Sequence, residues 1–168
     1  MGEPHIRRAG DADLETIASL AGRIWRAHYP SILSAEQIEY MLRWMYDVEE
    51  LRRDRARGVT YDLLFEGERP LGFCAWEELP GYLKLHKLYL EVAEHGRGLG
   101  SMLLRHVEDE ARRRRLLKVV LGVNRRNEKA IRAYQRNGYV VREPLKTDIG
   151  RGFVMDDFIM EKLLPQAC

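Results

Sequence analysis

The chain is poor in cysteine, in net charge and in long apolar runs. Each shortage excludes something. Two cysteines among 168 residues, Cys74 and Cys168, are a weak basis for a disulfide and suit a reducing, cytoplasmic setting. No apolar run approaches the ~20 residues of a membrane span. The opening MGEPHIRRAG lacks the apolar stretch of a signal peptide. A net charge of +2 does not describe a polyanion binder. The dense basic run Arg112–Arg115 has no aromatics interleaved with it, so nucleic acid is not expected as a partner. That run either faces solvent or helps to attract phosphates. His86 and His95 lack zinc-ligand spacing, and no metal is expected.

What is present is a globular composition, 45% apolar and 32% charged, in a length that suits one domain over residues 1–168. HIRRA predicts a short strand. Asp11 is expected to cap a helix with the stripe Ile17, Leu20, Ala21, Ile24, Trp25 and His28, broken by Pro30. Ser34 and Gln37 form a capping box for a second helix faced by Ile38, Met41, Leu42 and Met45. DVEE opens a short charged helix that stops at Gly58. TYDLLFE, LGFCAW and YLKLHKLYL then read as strands, and GSMLLRHVEDEARRR as a helix. LLKVVLGV has the unbroken apolar character of a strand buried on both faces. Asn127 caps a helix that ends before Gly138, and YVVRE and FVMDDFIMEKL close the chain as strands. One mixed α/β sheet accommodates this order, with a parallel crossover between residues 82 and 123.

Residues 95–100 read His-Gly-Arg-Gly-Leu-Gly between a strand and a helix. First-turn N–H groups have no intrahelical partner, and glycine lets an anion reach the backbone. The junction therefore suits a phosphate or diphosphate. It is neither a Walker A loop nor a dinucleotide fingerprint, since the spacing is G-x-G-x-G and no Lys-Ser or Lys-Thr follows. In the preceding strand the apolar phase slips between Leu85 and Leu88. That slip predicts either a β-bulge, which frees backbone groups near Leu88–Leu90, or a strand buried on both faces.

These two segments, together with VNRRNEKAIRAYQRNGY, resemble the GCN5-related N-acetyltransferases (GNAT). The likeness covers at least residues 83–139. The family signature has Gln or Arg where this chain has His95. The resemblance implies a mostly antiparallel mixed sheet with a splayed parallel central pair, flanked by helices on both faces. It implies acetyl-CoA as cosubstrate. Its diphosphate would sit on the amides of Gly96, Arg97, Gly98, Leu99, Gly100 and Ser101, with His95 beside them as a further cofactor-binding residue. Its pantetheine would pair with Leu88, Tyr89 and Leu90. Asn124, Asn127 and Tyr134 would approach the arm and thioester. The first helices and the tail look similar to a bacterial branch that includes polyamine acetyltransferases.

Acetyl transfer to an amine needs a neutral nucleophile, a donor for the carbonyl oxygen and a proton for the departing thiolate. By spacing alone Tyr134 reads as a core tyrosine; the resemblance reverses that and has it supply the proton. His86 is the candidate base, since an unperturbed imidazole titrates near ~6.5; Tyr89, Glu77 or water are alternatives. Trp25, His28 and Tyr29 are candidate acceptor-binding residues, with Tyr40 nearby, unless they serve helix packing. Of the adjacent Asp156 and Asp157, at most one can face the site. Cys74 is expected to be inert. The expected reaction is direct transfer to a primary amine, with a polyamine-like small molecule favoured. A protein N-terminus or lysine as acceptor, and a non-catalytic acyl-CoA-binding module, stay open as alternatives. So does a homodimer.

Overall fold

The computed structural model describes residues 2–166. The chain runs β1 (Pro4–Arg8), α1 (Leu14–His28), α2 (Ala35–Tyr46), α3 (Val48–Ala56), β2 (Thr60–Glu66), β3 (Arg69–Leu79) and β4 (Tyr82–Leu90). It continues through α4 (Leu99–Arg113), β5 (Lys118–Asn124), α5 (Glu128–Arg136), β6 (Val140–Gly150) and β7 (Phe153–Leu163). The strands form one seven-stranded sheet in the order β1-β2-β3-β4-β5-β7-β6. β4 and β5 pair in parallel, and every other pairing is antiparallel.

The sheet divides two cores. On one face Leu63, Phe73 and Ala75 pack with Ile17, Leu20, Ile24 and Leu42 of α1 and α2. On the other, Cys74, Trp76, Leu85 and Leu121 pack with Leu103, Val107 and Ala111 of α4. Alternation along β3 sends neighbours to opposite cores, as a pleated strand must. The α1 stripe read from sequence is the buried face, from Ile17 to Trp25.

Several local expectations need correction. Asp11 does not cap α1; a 3-10 turn spans Asp11–Asp13, and Asp13 accepts from the Gly10 N–H and the Arg7 guanidinium. Ser34 does cap α2 by accepting from the Gln37 N–H at 3.1 Å, but the Gln37 amide donates to the Val154 carbonyl instead of closing the box. β6 runs to Gly150, well past the expected end at Glu143, because pairing with β7 carries it through Pro144 and its polar neighbours. Cys168 lies outside the described residues. No helix among the described residues is long and apolar enough to cross a membrane.

Candidate functional site

The central strands part. β4 and β5 pair only from Leu83–Val119 to Leu85–Leu121. The cause is visible across β4, where Ala75 opposes Lys87 and Trp76 opposes Leu85, leaving His86 as an inserted residue. Of the two readings of the apolar phase, a bulge or a strand buried on both faces, the register against β3 decides for the bulge. Leu83 and Leu85, then Leu88 and Leu90, pack toward α4, while Lys87 and Tyr89 turn to the α1–α2 core. Gly72 accommodates the bent strand: a Cβ there would meet the Tyr89 carbonyl oxygen at 2.4 Å. Beyond Leu85 the β5-facing edge of β4 has no strand partner, and a cleft of about 310 Å³ fills the wedge.

At one end lies the glycine turn. Gly96 and Gly98 have φ of 84° and 77°, and a Cβ on either would meet nothing within 4 Å. Gly98 is the N-cap of α4 with no side-chain cap, and the first turn carries no acid. The N–H groups of Leu99, Gly100 and Ser101 thus sit at an uncapped, positive helix end. Gly100 has no left-handed φ; it keeps the turn slim beside Leu90, 3.6 Å from where its Cβ would be. The Arg97 side chain leaves the cleft for Glu66 and Glu94, so what it offers the turn is its main chain. His95 has both nitrogens engaged. Lys129 Nζ lies 2.7 Å from Nδ1, and Nε2 is 3.3 Å from the Leu90 carbonyl. A lysine at Nδ1 can only donate, which puts the ring proton on Nε2. Burial and the Lys129 charge hold His95 below the ordinary imidazole value.

In the middle lie β5 and α5. Asn127 caps α5 through Oδ1, which accepts from the Ala130 N–H and lies 3.1 Å from His28 Nε2. Asn124 Oδ1 accepts from the Arg126 N–H. Tyr134 borders the cleft, packs edge-on against Tyr139 at 5.9 Å, and its hydroxyl has no hydrogen-bond partner among the described residues. Burial pushes that hydroxyl well up, so it keeps its proton.

The far end lies under α1 and α2. His86 Nε2 is 2.7 Å from Glu77 Oε1 across the bulge, and burial holds the imidazole below its ordinary value despite the carboxylate. Tyr29 reaches Tyr89, hydroxyl to hydroxyl, at 3.4 Å. Trp25 is only 2% exposed and packs against Tyr29 with ring centroids 4.3 Å apart and planes tilted by 31°, forming the floor behind it. His28 stands at the mouth, 6.2 Å from His95. Tyr40 is tied to the Ile149 carbonyl at 2.6 Å and does not border the cleft. β7 separates the two aspartates as alternation requires: Asp156 pairs with Arg125 at 2.8 Å, while Asp157 borders the cleft. Asp157 has no cationic partner among the described residues, and burial with the Asp156 charge raises its pKa to about 6.

Residues 17–139 match the model of the acetyltransferase (GNAT) family. The chain belongs to the GNAT acetyltransferases. A spermidine N(1)-acetyltransferase of Thermoplasma acidophilum is 31% identical over 162 residues, covering 94% of this chain and 95% of that protein. The crystal structure of the PaiA N-acetyltransferase of the same organism, in complex with coenzyme A, has a TM-score of 0.83 at 28% identity, over 96% of this chain and 99% of that one. The ribosomal-protein-S18-alanine N-acetyltransferase of Escherichia coli shares the fold, with a TM-score of 0.75 at 17% identity over 99% of this chain and 97% of that one.

As a GNAT enzyme the chain is an acetyl-CoA-dependent N-acetyltransferase. Its own residues suit that cosubstrate. The uncapped turn with two left-handed glycines suits a diphosphate, Lys129 and Arg136 bring positive charge to the same cleft, and the bare β4 edge suits an amide-bearing arm. The arginine run is not part of this GNAT site. Arg112 and Arg113 pair with acids of α4 itself, and Arg114 bridges Glu110 and Glu78 while covering Trp76 at 4.7 Å. Cys74 is buried beneath α4 with its thiol pushed well up, which leaves no thiolate. Two features had no signal in the sequence. Gly72 depends on a strand pairing that only the fold creates. Lys87 is buried, donating to the Tyr61 hydroxyl at 2.6 Å with its pKa lowered to about 8.

Proposed function

We propose that this GNAT enzyme acetylates a primary amine of a small molecule by direct transfer within a ternary complex, and that a polyamine is the favoured acceptor. The observation that carries this reading is the single cleft onto which the glycine turn, the bare β4 edge, the unpartnered Tyr134 side chain and His86, itself paired with Glu77, all open. Acetyl-CoA, when bound, supplies the activated acyl group. The chain supplies the rest. Amides from Gly96 to Ser101 hold the diphosphate, and Leu88–Leu90 align the arm along β4. A main-chain N–H near Leu90 faces the carbonyl oxygen as its charge develops. His86, neutral at pH 7 because burial depresses its pKa, accepts a proton from the attacking amine, and Glu77 orients its ring. Tyr134 keeps its proton until a thiolate departs beside it. Trp25, His28 and Tyr29 shape the acceptor end. The 31%-identical spermidine N(1)-acetyltransferase supports the polyamine class.

Tyr134→Phe tests the assignment. Its kcat with a polyamine and acetyl-CoA falls about 100-fold or more, while calorimetric affinity for CoA changes little. An unchanged kcat removes Tyr134 from the acid role. If the wild-type protein releases no thiol with any of a panel of amines, the small-amine reading fails.

A further inference from the structure

Asp157 is an anion without a counter-ion. It lies on β7 opposite Asn124 of β5, and its neighbour Asp156 is already taken by Arg125. The groups around it are uncharged or of the same sign: Tyr29 from the segment after α1, Asn124 and Gly122 from β5, and Asp156 behind it. The nearest part of β5 carries no side chain to fill the space. A Cβ on Gly122 would stand 3.6 Å from Asp157 Oδ2, an ordinary contact, and no left-handed φ demands glycine there. Glycine at 122 therefore leaves room along the cleft wall between the acceptor end and the carboxylate.

Resting on the amine-acetyltransferase reading above, we infer that Asp157 receives a second, non-reacting ammonium of the acceptor, across the gap left by Gly122. The enzyme on this account selects diamines and polyamines over monoamines of the same length.

The chemistry separates the two amines. The attacking amine has to be neutral, and a carboxylate beside it would hold it protonated. A spectator ammonium has the opposite need. It stays charged near neutral pH, and burial away from water makes an unpaired cation unfavourable unless it meets an anion. Asp157 in turn is a partly desolvated carboxylate beside Asp156, and burial with that like charge raises its pKa. Each charge supplies what the other lacks. A monoamine with an alkyl tail leaves Asp157 unpaired and is rejected by that desolvation.

The test compares putrescine with butylamine, which differ by one terminal amine. Wild-type enzyme has the higher kcat/KM for putrescine. Asp157→Asn lowers that value about 10- to 100-fold, mainly through KM, and lowers the butylamine value far less, so the preference collapses. Asp157→Glu restores part of it. CoA affinity by calorimetry, measured on all three proteins, reports folding and the cofactor end independently. An unchanged preference in Asp157→Asn overturns the inference. So does an equal loss on both amines through kcat, which would mark Asp157 as the proton acceptor. A wild-type enzyme inactive on every amine would overturn the function reading itself, and this inference with it. Active wild type with an unaltered preference in the variant overturns only the role of Asp157.

Discussion

Two strand aspartates of this protein lie on opposite faces of the sheet and have opposite fates. Asp62 on β2 is 1% exposed and accepts from Arg8 Nε at 2.7 Å, Trp76 Nε1 at 2.8 Å and His106 Nε2 at 2.8 Å. Burial pushes its pKa up, but these donors outweigh burial and hold it below the usual value. Asp157 on β7 is less buried, has no such donors, and is pushed up instead. The difference teaches how to read a buried acid. Asp62 ties β1, β2, β3 and α4 together and is complete without a ligand. Asp157 is complete only when something cationic comes to it.

Breaking the first half of the comparison has the largest effect. Asp62→Ala leaves three donors without an acceptor and lowers stability by about 3 kcal/mol, read as a shift of the urea midpoint. The sign with pH follows from its lowered pKa: the Asp62 contribution is present above the unfolded carboxylate value of ~3.9 and is lost as pH falls through the lower folded value. A variant as stable as wild type would mean that the cluster is ornamental.

His86 sharpens the comparison, because it is paired with Glu77 yet itself lines the cleft. As a base it works only when neutral. Its depressed pKa therefore places an acid limb of kcat/KM below pH ~6.5, with activity rising as pH increases through that limb. Measured with butylamine, which leaves Asp157 unengaged, His86→Gln removes the limb and lowers the plateau about 10- to 100-fold. A limb that survives the substitution assigns proton removal to another group.

The smallest effect is also the most discriminating. A carboxyl with a raised folded pKa contributes stability that is fully present below its unfolded value, ~3.9, and is lost as pH rises through about 6. Asp157→Asn thus stabilises the fold above pH 6, by about 1–2 kcal/mol after allowance for screening in an open cleft, and the gain vanishes near pH 4. Thermal melts at the two pH values check it. Saturating polyamine raises the wild-type melting temperature toward that of the variant. A residue that weakens the resting fold and strengthens selection is the trade expected at a binding site.

Much of the site is readable because it obeys local rules. The slip from Leu85 to Leu88 is a change of phase within one strand; it narrows the reading to a bulge or a doubly buried strand, and the register against β3 decides for the bulge at His86. Gly96, Gly98 and Asn127 announce a helix end with three or four residues of context. Alternation says that at most one of Asp156 and Asp157 faces the site, and only the register against β5 says which. What stays hidden is set by distant partners. Gly72 is small because of Tyr89, Lys87 is buried because of Tyr61, and Arg114 is spent on Glu78 and Trp76. β6 is longer than its own pattern predicts because β7 supplies the pairing.

The parted strands have one more consequence. A sheet ordinarily has two raw margins, here β1 and β6, and the outward margin of β6 carries Arg142, Glu143, Pro144 and Lys146, residues that discourage a passing strand from adding on. Splitting β4 from β5 creates two further margins inside the molecule, screened by α1, α2 and α5. A row of unmatched peptide groups that would invite aggregation on the outside becomes, indoors, a rail suited to a chain as slender as the arm proposed to lie along it.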